Sequence, residues 1–115
     1  MRELNDNEVW DRVQQLQGKT IFTLVRKKPN FIKEVTGNAV VIDGRRSRPT
    51  RSQIVYAYRH LWKHGELRPK EGNWKDPIFI WSIVPAILLA AIPEQFAKVG
   101  DLGLSGIHIK KQSRL

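Results

Sequence analysis

From Pro77 to Pro93 the chain runs seventeen residues without a charge. The run is shorter than the roughly 20 apolar residues a membrane-spanning helix needs, and Pro85 interrupts it. It therefore reads as core, and in a chain of 115 residues the other elements are expected to cover it. Asp76-Pro77 and Ser82 both read as helix starts, and Pro85 is tolerated only in a first turn. The spacing therefore predicts a helix from about Ile83 to Ile92, capped by Ser82, with Ile78 to Trp81 as an apolar lead-in.

The elements before it follow from local signals. Asn5 and Glu8 form a capping-box pair, Leu4 and Val9 suit the staple around it, and Val9, Trp10, Val13 and Leu16 recur at helical spacing up to Gly18. TIFTLVR (Thr20 to Arg26), FIKEVT (Phe31 to Thr36) and AVVID (Ala39 to Asp43) read as strands, with turns at Lys28-Pro29-Asn30 and Gly37-Asn38. Thr50 and Gln53 form a second capping box, opening a helix to about His64 that Gly65 stops. Its apolar stripe is Ile54, Ala57 or Tyr58, Leu61 and Trp62. Glu66 to Arg68 reads as a short strand or an extended link, and LSGIHIK as a late strand. The expected fold is α+β: an N-terminal helix, a three-stranded antiparallel meander, two further helices packed on one face, and a late C-terminal strand. Residues 1–115 are expected to form one small domain, with KKQSRL fraying and 111–115 as its tail.

Charge is the most informative property for function. Twenty Lys and Arg against eleven Asp and Glu give a net +9, a balance that suits a polyanionic partner. The excess is regional: GRRSRPTRSQ (Gly44 to Gln53) holds four arginines, and Arg26, Lys27 and Lys28 precede the second strand. In a meander the first turn and the end of the third strand lie at the same end of the sheet. Arg26, Lys27 and Lys28 are thus expected beside Arg45, Arg46 and Arg48, as phosphate contacts together with Arg51. Thr50 and Ser52 add donors at a helix start, where the dipole also attracts anions. Tyr56, His60 and Lys63 lie along the exposed side of the second helix and are expected base or groove contacts. A polar loop beside a well-capped helix would carry the same residues, and an ordinary solvated face would read like the second helix.

Other chemistry finds less support. The chain has no cysteine, which removes disulfides, thiolate zinc sites and a cysteine nucleophile, and fits a cytoplasmic setting. The polar start MRELNDNEVW is no secretory signal, and the end lacks a lipidation cysteine. His60 and His64 stand four apart, but Leu61 follows His60 where a zincin helix needs Glu. GKT at Gly18 lacks the P-loop's earlier glycine and leads into a strand. Glu34 and Asp43 lack a third acidic partner for a nuclease site. Trp10, Trp62 and Trp81 read as core; Trp74, in a basic loop, suits packing or stacking. No metal or cofactor and no catalytic residue are expected.

Three segments, IFTLVRKKPNFIKEV, RPTRSQIVYAYRHLWKHGEL and VPAILLAAIP, resemble small modules of bacterial restriction-type and related DNA-processing proteins. The resemblance spans Thr20 to Phe96 and implies an accessory, DNA-contacting module that is not itself catalytic. The leading expectation is a nucleic-acid-binding module, DNA rather than RNA and duplex rather than single strand, with no membrane partner. The alternative is a protein–protein adaptor, subunit or homodimer using the apolar segment 78–81 and Trp74.

Overall fold

Two reciprocal caps start the first two helices. The Asn5 side chain accepts from the Glu8 N–H at 2.9 Å while Glu8 accepts from the Asn5 N–H at 3.1 Å, opening α1 (Asp6–Gln14). Thr50 and Gln53 repeat the arrangement at 3.1 and 2.9 Å and open α2 (Arg51–His64). Each pair satisfies two helix-start groups without help from the rest of the fold. The computed structural model describes residues 2–24, 26–46, 48–67, 78–100 and 108–112, omitting the side chains of 78–82 and 108.

Between these helices lies an antiparallel meander of β1 (Thr20–Phe22), β2 (Pro29–Val35) and β3 (Val40–Ile42). β1 is shorter than the sequence predicts, because Thr23 starts the turn. Its hydroxyl accepts from the Lys28 N–H at 3.0 Å and its carbonyl from the Lys27 N–H at 3.1 Å. A side chain that bonds nearby backbone in this way competes with the strand ladder. The turn thus spans 23–28, and Pro29 and Asn30, expected in the turn, begin β2. Pro29, lacking an N–H, is tolerated at a strand's first residue. A bulge between Ile32 and Glu34 leaves both Lys33 and Glu34 exposed.

After β3 the chain doubles back along it. The Val40 N–H donates to Pro49 O at 2.9 Å, Ala39 bridges Thr50, and the Arg51 N–H donates to Asn38 O at 2.6 Å. This return sets the start of α2 beside the β2–β3 turn. Gly65, at φ +83°, ends α2 in the left-handed conformation that a side chain would strain.

A second antiparallel sheet, of β4 (Glu66–Leu67), β5 (Phe96–Val99) and β6 (His108–Lys111), has the order β4-β6-β5. The sequence predicts a late strand and offers Glu66 to Arg68 as a short strand or link; β5 is the member of this sheet that it does not predict. Lys111, assigned to a fraying end, lies in the central strand, and Gln112 donates to Gln95 O at 2.8 Å. α3 (Ile78–Ala91) also differs: it starts near the Asp76-Pro77 signal, not at Ser82, and holds Pro85 in its interior. An interior proline costs about 3 kcal/mol through its missing N–H and its clash. Residues 83–88 are nonetheless all buried, as befits a helix apolar on every side, and that burial outweighs the penalty. Among the described residues no helix is long and apolar enough to cross a membrane.

One core cluster joins Val9, Trp10 and Val13 of α1, Ile54, Ala57, Tyr58 and Leu61 of α2, and Ile83, Ile87 and Leu88 of α3. Ile32 and Ile42 of the first sheet and Phe96 and Ile109 of the second belong to it as well. Within it the Tyr58 hydroxyl donates to Gln95 Oε1 at 2.9 Å and accepts from the Leu4 N–H at 2.8 Å. Burial pushes its phenol above the ordinary value, against the lowering effect of the Leu4 N–H and Arg59. Gln95 also donates to Arg2 O at 2.9 Å, so the pair holds the N-terminal segment onto the body. Tyr58→Phe leaves the Leu4 N–H and Gln95 Oε1 without their hydroxyl. It should lower unfolding free energy by about 1–3 kcal/mol with unchanged denaturant dependence, measurable by urea denaturation.

Two surface carboxylates, Glu8 half-buried and Glu94 exposed, give a pH signature. Hydrogen bonding to Arg2, then to the Asn5 N–H, holds Glu8 at about 2, and pairing with Arg12 lowers Glu94. A depressed carboxylate stabilises the fold above its unfolded value, and that contribution is lost as pH falls through the folded value. The melting temperature should therefore fall between about pH 4.5 and pH 2. Glu8→Gln, which keeps the cap, should lessen the drop, and salt should shrink the difference.

Candidate nucleic-acid interface

A buried amide decides where the basic residues meet. Asn30 occupies the inward phase of β2, opposite Ile21, and is 7 % exposed. Its Nδ2 donates to Lys28 O at 3.0 Å, and its Oδ1 accepts from Arg45 Nε at 2.9 Å. One side chain thus ties the β1–β2 turn to the loop after β3. The Asp43 N–H, donating to Phe31 O at 3.0 Å, joins the same two segments through the backbone. Arg26, Lys27, Lys28 and Arg46 are all exposed at this end of the sheet, while Arg45 is half-buried. Across 23–28 and 43–48, six basic side chains meet a single acidic one, Asp43.

The rest of the expected patch is elsewhere. Because the chain returns along β3, Thr50, Arg51 and Ser52 sit at the opposite end of the sheet, roughly 13 Å away along the strand. Arg48 is exposed on the returning segment between the two ends. At the far end, an open cavity of about 620 Å³ is lined by Asp6, Asn38, Thr50, Arg51, Ser52, Val55 and Tyr56. Its cation is engaged: Arg51 Nη2 donates to Asn7 Oδ1 at 2.6 Å, and its guanidinium lies 5.7 Å from the Trp10 ring centroid. The Arg51 and Gln53 N–H groups bond Asn38 and Thr50, so the helix start largely satisfies itself. Arg59, counted in the basic region, pairs with Glu3 at 3.0 Å and Asp6 at 2.5 Å.

Along α2, Tyr56 and Lys63 are exposed and His60 is half-buried, its ring 4.5 Å from that of His64. Among the described residues no three His, Asp or Glu side chains gather as metal ligands would. Glu34 pairs with Val41, two residues from Asp43, so these carboxylates take diagonal rather than facing positions. Trp74 lies outside the described residues, as do the side chains of 78–81.

Sequence reasoning missed Asn30 by treating it as a turn residue. Its signal was a polar side chain in phase with Ile32, on the buried side of a strand. It also passed over Phe22 and Phe31, which share the outward phase with Lys33 and are exposed. Comparison with protein-family models, with curated proteins and with solved structures found no match.

Asn30→Leu removes both amide bonds while filling the space. It should destabilise the fold by about 1–3 kcal/mol and speed amide exchange in 26–28 and 43–46, measurable by hydrogen–deuterium exchange. Exchange at Asn38 and Gln53 should stay unchanged.

Proposed function

We propose that this domain binds nucleic acid without catalysing a reaction on it, through phosphate contacts at the Arg26–Arg46 end of the first sheet. The Asn30 tie carries this reading, because it makes one cationic surface of two segments fifteen residues apart. Arg26, Lys27, Lys28 and Arg46 supply the exposed charge, and Arg48 extends it along the return. Thr50 and Arg51 are assigned instead to holding α2 and the β2–β3 turn, and Ser52 and Tyr56 line the open cavity at that end. His60 and Lys63 stand one and nearly two turns beyond Tyr56 on α2. DNA is the polymer named, on the strength of the resemblance to modules of DNA-processing proteins, with action in the cytoplasm. The adaptor alternative would use side chains outside the described residues, and no observation favours it.

Four phosphate contacts predict a log–log salt slope of about −3.6 on duplex DNA, or roughly a 100-fold loss of affinity between about 50 and 200 mM salt. Fluorescence anisotropy should give that slope, and Arg46→Ala should make it shallower by about 1 while Lys63→Ala leaves it unchanged. Affinity insensitive to salt would overturn the reading.

A further inference from the structure

The face of the first sheet turned away from the core carries two large apolar rings. Phe22 is 58 % exposed and Phe31 43 %, whereas Ile21, Ile32 and Ile42 of the same sheet are buried. In the register Phe22 faces Pro29 and Phe31 faces Thr20. Residues facing each other in an antiparallel pair lie on one side of the sheet, so the two phenylalanines are diagonal neighbours about 7–8 Å apart. Two exposed rings side by side on adjacent strands make one apolar patch, where scattered single ones would need no explanation.

The charge around them says what. Phe22 leads directly into the basic turn, and Phe31 lies between that turn and Lys33, exposed two residues further along β2. Asp43 and Glu34 are the acidic residues on this face; Asp43 lies across from Phe31, where it suits a base's amino group better than a phosphate. Protein interfaces are depleted of lysine at their centres, and a second copy of this face would bring its cations against their own images. Aromatic rings beside a cationic track are what an unpaired strand uses, because its bases expose π-faces that a duplex keeps covered.

We infer that this face is a stacking platform for single-stranded nucleic acid, with bases on Phe22 and Phe31 and phosphates on the adjoining cations. The inference rests on the nucleic-acid reading above and names its substrate class. It favours a single strand over the duplex expected from the sequence.

The test titrates the full chain, by anisotropy, with labelled oligothymidine, oligouridine and a duplex of equal length. Phe22→Leu and Phe31→Leu should each weaken single-strand binding about 5- to 150-fold while leaving the salt slope unchanged. Phe31→Trp, which keeps a stacking face, should retain affinity, and this holds even if a leucine variant folds poorly. The duplex should bind more weakly and ignore both leucine variants. A preference for either the thymidine or the uridine strand supports the platform equally. Salt-dependent binding indifferent to Phe22 and Phe31 would overturn this inference but not the proposed function; absence of salt-dependent binding would overturn both. A dimer in sedimentation that dissociates on Phe22→Ser or Phe31→Ser would instead assign the face to a second copy.

Discussion

The Tyr58 hydroxyl and the Gln95 amide form the buried contact on which the arrangement of the chain depends. Tyr58 belongs to α2 and Gln95 to the turn between α3 and β5, and between them they bond the backbone of Leu4 and Arg2. Gln95 O accepts from Gln112 as well, so segments from both ends of the described chain close on one point. Hydrophobic burial drives these elements together without dictating their register. The directional bonds dictate it, because each group left unmatched in the core would cost more than a matched one contributes.

A similar division of labour separates the two ends of the first sheet. At the β2–β3 end, cations and helix-start groups are consumed internally: Arg51 by Asn7 and Trp10, Arg59 by Glu3 and Asp6, the α2 start by Thr50 and Asn38. At the other end, a single amide orders two loops and leaves their charged tips in solvent. Equal densities of arginine in the sequence therefore have unequal electrostatic reach, and pairing, not count, decides which segment can attract an anion.

Features set by neighbours in the chain were legible beforehand. Both capping boxes, the Gly65 stop and the meander order are local, and each stands in the structure. What was hidden depends on distant partners. Pro85 argues for a helix start by local rules, and only the burial of 83–88 on every side explains why the helix runs through it. The second sheet needs Leu67 to find Ile109, forty-two positions away, which no periodicity announces. Within the candidate site, the convergence of 26–28 with 45–46 followed from strand order. The separation of Thr50 and Arg51 did not, because it hinges on the chain retracing β3 after Asp43.

The order β4-β6-β5 also has a temporal side. The middle strand is the last of the three to be synthesised, so β4 and β5 must each wait for β6 before their backbone groups can pair. During elongation Leu67 and Phe96, both buried in the finished fold, lack the strand that joins them. The first sheet, by contrast, closes within a short stretch of chain. The nascent protein should therefore mature from its amino-terminal half outward, its basic end formed well before its second sheet is sealed.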